Sequence, residues 1–205
     1  MSETYVPTAW GYSVASDDGK LPPLITPEQL QEATGGRFGP ETPGVSTVLD
    51  GVSAVIRDAC GWHVSPVLDV EERTGGPGKV IALRTLMMPD DPEVEELGVE
   101  LGPGQFEWDG RGLIRRSCFR SWPDAWGSVV VRYRSGIPSD MAPTLVAVAA
   151  QVASNSLAAP AGVQSEQAGG VSISYNQTAS GVSGGVRLLE SDLAMLRVYM
   201  IGEVL

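Results

Sequence analysis

The sequence predicts an α+β fold, in which a small helical bundle carries a β-rich subdomain inserted between its second and third main helices. Three observations lead to this prediction: apolar stripes at helical spacing, a central block rich in β-branched residues, and turns rich in Gly and Pro between them. The chain has 205 residues, of which 42% are hydrophobic and 19% are charged. This length and composition suit one globular domain with an appendage.

Residues 1–25 lack helical or alternating periodicity and are predicted to form an extended N-terminal arm. Trp10 is unusual in a solvated tail, so the arm is expected to dock either on a neighbouring subunit or on its own domain. The first residues contain no apolar run typical of a signal peptide, and no stretch approaches the eighteen apolar residues of a membrane span. The remaining domain covers 26–205, with helical parts at about 26–62 and 138–205 and the β-rich insertion at about 63–137.

Helix signals frame the predicted bundle. Thr26 and Gln29 form a capping box around a proline at the first helical position. Residues 47–60 carry a continuous apolar stripe, with Ser46 or Thr47 as the N-cap and Gly61 suited to a left-handed stop. Two further helices are predicted at about 140–158 and 190–201.

The central block contains the strand signals. Strands are predicted at 64–71, 80–86, 106–108, 113–119 and 128–134. A Gly/Ser-rich stretch at 161–187, with an extended patch at 171–175, predicts a C-terminal hook.

Residue patterns for catalysis or cofactor binding are weak. Gly181–Gly185 matches the G-x-S-x-G elbow of hydrolases, but the one histidine, His63, lies far upstream, so a flexible loop is favoured over a nucleophile at Ser183. Cys60 lies near His63 in sequence, and a buried cysteine is favoured over a dyad or zinc site. No catalytic, cofactor-binding or metal-binding residue is predicted.

Charge is strongly segregated along the chain, whose formal net charge is −11. Eight acids and no bases lie between residues 85 and 110, and the run at 90–96 is predicted to be a solvated acidic loop. Six arginines against one acid follow between residues 111 and 134. Either neighbouring strands pair these charges within one subunit, or opposite faces suit head-to-tail contact between subunits.

Four segments resemble the head-to-tail connector (adaptor) proteins of long-tailed double-stranded DNA bacteriophages. They are LITPEQLQEATG at 24–35, STVLDGVSAVIRDACGW at 46–62, the strand and helix at 129–157, and the tail at 165–200 with its alternating Ser/Tyr strand, glycine stretch and leucine-rich helix. The resemblance covers most of 24–202 and leaves out the N-terminal arm, and the 63–136 block is longer than the minimal plan of the family.

The resemblance implies a non-enzymatic virion protein at the head–tail interface, synthesised in the host cytoplasm and without cofactors. Its copies would form a ring, commonly of twelve, between the portal protein and a downstream stopper or tail protein, with DNA passing through without sequence-specific binding. Another neck connector, such as a stopper or tail-completion subunit, is the nearest alternative; a cytosolic binding module and a Ser183 hydrolase are alternatives of other classes. The predicted interface residues are Trp10, Asp90, Asp91, Glu93, Glu95, Glu96, Arg111, Arg115, Arg116, Arg120, Arg132, Arg134, Ile173, Tyr175, Leu196 and Tyr199.

Overall fold

The computed structural model confirms the α+β class, with helices and antiparallel sheets in one chain. It describes residues 5–17, 19–117, 120–158, 165–168, 171–174 and 186–202, and for 165–168 and 171–174 only the backbone. The chain divides into two compact units. The β-rich unit comprises 1–21, 61–138 and 201–205, and the helical unit comprises 22–60 and 139–200.

The described part of the helical unit contains four α-helices and two short 3-10 turns. The helices are α1 (Pro27–Ala33), α2 (Val45–Cys60), α3 (Pro143–Ala158) and α4 (Glu190–Leu196), and the 3-10 turns are Ser139–Met141 and Arg197–Tyr199. The capping box of α1 and the left-handed φ of 77° at Gly61 after α2 are as predicted. The N-terminus of α2 was predicted two residues late, because the chain turns into the helix at Gly44, which has a φ of 75°.

Helix α3 contacts each of the other three helices and is the centre of the helical unit. Three of its alanines, Ala149, Ala150 and Ala153, are buried, and their small side chains allow the neighbouring helices to approach closely. Ser53 on α2 connects α2 to the segment that precedes α1. Its hydroxyl donates to the carbonyl of Leu49 at 2.6 Å and accepts the backbone N–H of Leu24 at 2.9 Å. Arg57 adds a second tie, because its buried guanidinium donates to the carbonyl of Pro22 at 2.7 Å.

The described residues of the β-rich unit form two antiparallel sheets. The first runs in the order β1-β2-β3-β9-β5-β6 and the second in the order β4-β8-β7. The strands are β1 (Tyr5–Pro7), β2 (Tyr12–Ala15), β3 (Leu68–Thr74), β4 (Val80–Ala82), β5 (Glu93–Glu96), β6 (Val99–Glu100), β7 (Phe106–Trp108), β8 (Leu113–Arg116) and β9 (Val129–Ser135). Strand β9 is central because it pairs over its full length with β3 and, on its other side, with β5.

The segment predicted as an extended N-terminal arm, residues 1–25, contains regular strands in its described part. Strands β1 and β2 form a hairpin, and β2 pairs with β3 in the six-stranded sheet. The side chains of Tyr12 and Val14 are buried in the core. Their spacing of two residues is that of a strand with one buried face. The N-terminal segment therefore packs on its own chain, one of the two alternatives considered for it.

The prediction of a solvated acidic loop at 90–96 is wrong in part. Residues 93–96 form β5, which pairs with β9, because Val94 supplies a buried apolar contact between flanking glutamates. Strands predicted at 64–71 and 80–86 are displaced or shorter, whereas 106–108 and the start of β8 agree with prediction.

The extended patch predicted in the hook corresponds to β11 (Val171–Ser174), which pairs with β10 (Ser165–Ala168). The G-x-S-x-G sequence at 181–185 lies outside the described residues. The last predicted helix is shorter than expected, since α4 ends at Leu196 and a 3-10 turn follows.

Candidate functional site

The outward face of the six-stranded sheet carries a concentrated set of charges. Side chains alternate along β3 and β9, so Val70 and Tyr133 point into the core while Glu71 and Arg132 point outward. Because Glu71 lies opposite Arg132 in the register, residues of opposite charge meet across the strands. On or beside this face, six carboxylates outnumber three guanidinium groups: Asp69, Glu71, Asp90, Asp91, Glu93 and Glu95 against Arg73, Arg132 and Arg134.

Arg132 is the centre of this charged face. Its Nε donates to Glu71 Oε2 at 2.9 Å, and its Nη1 lies 3.7 Å from Glu95 Oε2 on β5. The hydrogen bond to Glu71 raises the pKa of Arg132, with smaller contributions from the charges of both glutamates. Arg73 binds the other oxygen of Glu71 at 2.9 Å. The guanidinium groups at the centre of the face are therefore already occupied by carboxylates of the same chain.

A shallow depression of about 540 Å³ lies at the Asp90 side of this face. Arg134 forms an exposed ion pair with Asp90 at 3.0 Å, with both side chains about half exposed. The wall also includes Asp69, Asp91 and Glu93, so the carboxylates outnumber the arginines. An excess of carboxylates repels phosphate, which argues against a site for nucleotides or for held DNA.

A buried ion pair on the inward side of the six-stranded sheet joins the two sheets. Arg116 on β8 binds both oxygens of Glu96 on β5, at 3.3 and 2.9 Å, and it also donates to the carbonyl of Gln105. Its guanidinium lies 5.7 Å from the centre of the Trp122 ring. Arg116 is buried, so this pair serves the packing of the unit rather than its surface.

Four of the six predicted interface arginines thus pair within the chain. Arg115 pairs with Glu107, Arg116 with Glu96, Arg132 with Glu71 and Glu95, and Arg134 with Asp90. These contacts correspond to internal pairing, one of the two interpretations of the charge segregation. Arg111 and Arg120 are exposed on loops.

The remaining predicted residues fall in several places. Trp10 is half-buried in the turn between β1 and β2, with its ring centre 6.1 Å from that of Tyr12. Leu196 and Tyr199 are buried in the helical unit, and the exposed apolar side chains of their segment are Leu189, Leu193, Met195 and Val198. The side chain of Ile173 and all of Tyr175 lie outside the described residues.

Sequence reasoning missed two buried polar networks under the sheet. His63 donates from Nε2 to the carbonyl of Ser135 at 2.9 Å, so its Nδ1 accepts the hydroxyl of Tyr12 at 2.9 Å. Glu72 accepts the Tyr133 hydroxyl and the backbone N–H of Arg84 at 2.8 and 3.1 Å. Burial raises the pKa of Glu72 despite these two hydrogen bonds. The signal available was the alternation along β3, which places Glu72 on the same face as Val70.

Cys60 is fully buried at the end of α2, and burial raises the pKa of its thiol to about 12. This environment is that of a structural cysteine, as the sequence favoured. Within the described residues no group of three or more His, Cys, Asp or Glu side chains could hold a metal ion.

No helix in the described part of the chain is both long and apolar enough to cross a membrane. The sequence matches no protein-family model and none of the curated proteins.

Proposed function

We propose that this chain is a structural subunit of a bacteriophage neck: a head-to-tail adaptor whose copies form a ring between the portal and the next neck or tail component. The resemblance of four segments to such adaptors supports the proposal. The observation that carries it is the acid-rich outward face of the six-stranded sheet, on which the central arginines are occupied by Glu71, Glu95 and Asp90. In a ring, this face would line the channel.

The physical reason is the polyanionic backbone of the cargo. A channel wall rich in arginine would hold DNA through its phosphates, whereas a wall with an excess of carboxylates repels the backbone and lets it slide. Arg132 and Arg134 soften the repulsion and keep the charged side chains ordered, since each guanidinium bridges to a neighbouring carboxylate. No chemical step is required of any residue in this role.

Electron microscopy of the protein mixed with its portal protein tests the proposal. The expected result is a ring of repeated subunits, commonly twelve, seated on the portal with a central channel. Immunogold labelling of complete virions should place the chain at the neck. Absence from the neck, or no portal binding at any concentration, would refute the proposal.

A stopper subunit is the nearest competing role. Stopper subunits are expected to be mainly β, whereas the described residues of this chain contain more helix than strand. The same images discriminate the two: an adaptor contacts the portal directly, whereas a stopper binds only after an adaptor is in place.

A further inference from the structure

One edge of the three-stranded sheet has no strand beside it. Strand β4 pairs with β8 on one side and is the last strand of its sheet, so no strand of the described residues pairs with its other side. The unpaired side of an edge strand presents a row of backbone N–H and C=O groups, onto which an extended segment of another chain can pair. The edge of β4 is therefore a candidate binding surface.

The pairing register shows which residues of β4 present these groups. The backbone N–H of Leu83 donates to the carbonyl of Gly112 at 2.8 Å, just beyond the last residue of β4. Hydrogen-bonded and non-hydrogen-bonded pairs alternate along an antiparallel ladder. Counting back from Leu83, Ala82 and Val80 occupy non-hydrogen-bonded positions, so their N–H and C=O groups point away from β8.

A groove of about 580 Å³ lies at this edge. Val80 and Ala82 line it together with the end of β3 and the loop at 75–78. The next N–H that points away from β8 is that of Arg84, and it donates to the buried carboxylate of Glu72 at 3.1 Å, so the unpaired part of the edge ends there. The volume of the groove is typical of ligand-binding clefts.

The side chains beside the edge are apolar and exposed. Ile81 is buried, whereas Val80 and Ala82 on either side of it are exposed and share the outer face of the sheet. Leu113 on β8 lies opposite Ala82 and is 46% exposed. A strand added beside β4 would place every second side chain on this face, where apolar side chains would cover Val80 and its neighbours.

Two exposed arginines lie at the end of the groove. Arg84 and Arg111 both line it, and neither forms an ion pair with another described residue. The hydrogen bond between Leu83 and Gly112 holds the residues next to them together, so both arginines are at the same end of the sheet. A chain with a net charge of −11 thus has a local excess of positive charge here, which an acidic side chain of a partner would complement.

The groups along the edge distinguish a polypeptide from other polyanions. A phosphate accepts hydrogen bonds from N–H groups and from arginine, but it has no donor for the C=O groups of Val80 and Ala82. An extended peptide backbone offers both donors and acceptors at the spacing of a strand. The apolar side chains on the outer face also suit a peptide better than a phosphate backbone.

We infer that β4 binds an extended, acidic segment of a partner polypeptide as an additional strand. The backbone of the segment pairs with Val80 and Ala82, and its apolar side chains at alternate positions pack on Val80 and Leu113. A carboxylate two residues further along the segment meets Arg84 and Arg111. This inference is independent of the proposed ring, because it concerns a surface of the single chain.

A fluorescent heptapeptide, Glu-Thr-Val-Thr-Val-Thr-Glu, tests the inference by fluorescence anisotropy with the full chain. Its valines and glutamates lie on one face in either strand direction. Binding should be saturable, and replacing both glutamates by lysine should weaken it at least tenfold. N-methylation of the two valines removes the N–H groups that face β4 and should also weaken binding at least tenfold. N-methylation of the first and last threonines, whose N–H groups face away, is the matched control and should have little effect.

Variants of the protein locate the site. Ala82→Pro removes an N–H that points away from β8 and should weaken peptide binding at least tenfold; an edge strand tolerates proline at such a position. Arg84→Glu with Arg111→Glu should weaken it as much. Arg187→Glu with Arg197→Glu changes two exposed arginines of the helical unit by the same charge and should leave binding unchanged. Circular dichroism confirms that each variant is folded.

Several results would overturn the inference. Absence of saturable binding, or equal binding of the peptide with and without N-methylated valines, would show that the edge does not pair with a peptide backbone. Displacement of the peptide by an equal concentration of duplex DNA would assign the arginines to polyanions in general. Loss of self-association in Ala82→Pro, without peptide binding to the natural chain, would assign the edge to a second copy. Because Ile201 also lines the groove, a variant without residues 203–205 is included, and peptide binding to that variant alone would assign the edge to the chain's own residues.

Discussion

Individual buried polar residues link the strands and loops of the β-rich unit. Glu72, His63 and Arg116 are all buried, and each has hydrogen-bond partners from other strands or loops. Burying a polar group without partners is costly, so each network both requires and enforces one register of the strands around it. The consequences are measurable at single residues.

Glu72 should make the protein less stable as pH rises. Burial raises its pKa in the folded state, so the folded chain binds the proton more tightly than the unfolded chain, whose pKa is near 4.5. The contribution is most favourable below pH 4.5 and is lost as pH rises through the folded-state pKa. Glu72→Gln should remove this dependence of the free energy of unfolding on pH. In urea titrations, the free energy of unfolding of the variant relative to that of the natural chain should therefore increase from pH 4 to pH 7.

The control for Glu72 is Glu41→Gln, which changes an exposed glutamate in the loop before α2. The free energy of unfolding of this control should change with pH in parallel with that of the natural chain. A Glu72→Gln curve that is also parallel would contradict the assignment of this pH dependence to the buried carboxyl group.

Arg116→Met should destabilise the protein by about 3–5 kcal/mol, because it leaves the Glu96 carboxylate without its buried partner. The neighbouring Arg115→Met should cost about 1 kcal/mol or less, since the Arg115–Glu107 pair is 60% exposed on both sides. Chemical denaturation followed by Trp fluorescence gives both values. Equal losses in the two variants would show that burial of the pair has no bearing on its contribution.

Elements with strong periodicity could be predicted from the sequence, and short or charged elements could not. The stripe of α2 and the β-branched run of β9 were found because burial imposes a regular apolar spacing on each. Strand β1 has three residues and β5 is mostly glutamate, so their stability comes from pairing with β2 and β9 rather than from propensity.

The candidate site could also be predicted only in part from the sequence. Segregation of acids and arginines is visible in the sequence, and it falls on neighbouring strands. The partner of each arginine depends on register, such as Glu71 opposite Arg132 across 61 residues, and no local pattern specifies that. The exposure of Leu97 and of Trp126 could not be predicted, because the exposure of a side chain depends on the tertiary structure.

At the element scale, the hydrogen bonds of Ser53 should be the main connection between α2 and the segment before α1. Ser53→Ala leaves the buried N–H of Leu24 without its acceptor, at an expected cost of about 1–3 kcal/mol. Ser156→Ala is the matched control, because Ser156 on α3 likewise donates to a carbonyl four residues back, that of Val152. Thermal unfolding should separate the two variants clearly, and a Ser53→Ala loss no larger than that of the control would argue against the tie.

At the scale of the whole molecule, the placement of charge matters more than its total. Asp69→Lys, Asp91→Lys and Glu93→Lys together should convert the outward sheet face from one that repels DNA to one that binds it, with a Kd of about 10⁻⁴–10⁻⁶ M that weakens with salt. Electrophoretic mobility shift at several salt concentrations measures this change.

The control for the charge reversal has the same net charge but places it elsewhere. Glu32→Lys, Glu41→Lys and Asp58→Lys alter exposed acids of the helical unit. DNA binding should stay weaker than for the sheet variant. Equal binding by both would mean that total charge alone controls the interaction, and the sheet face would lose its proposed place as the channel wall.

The interleaving of the two units along the chain has a consequence for biosynthesis. During translation the β1–β2 hairpin leaves the ribosome about fifty residues before β3, its first partner outside the hairpin, and β9 follows later still. Strand pairing over such separations is slow compared with local helix formation. The helices α1 and α2 can therefore form before the first hairpin pairs with β3. In a nascent chain arrested before residue 68, that hairpin should be accessible to protease.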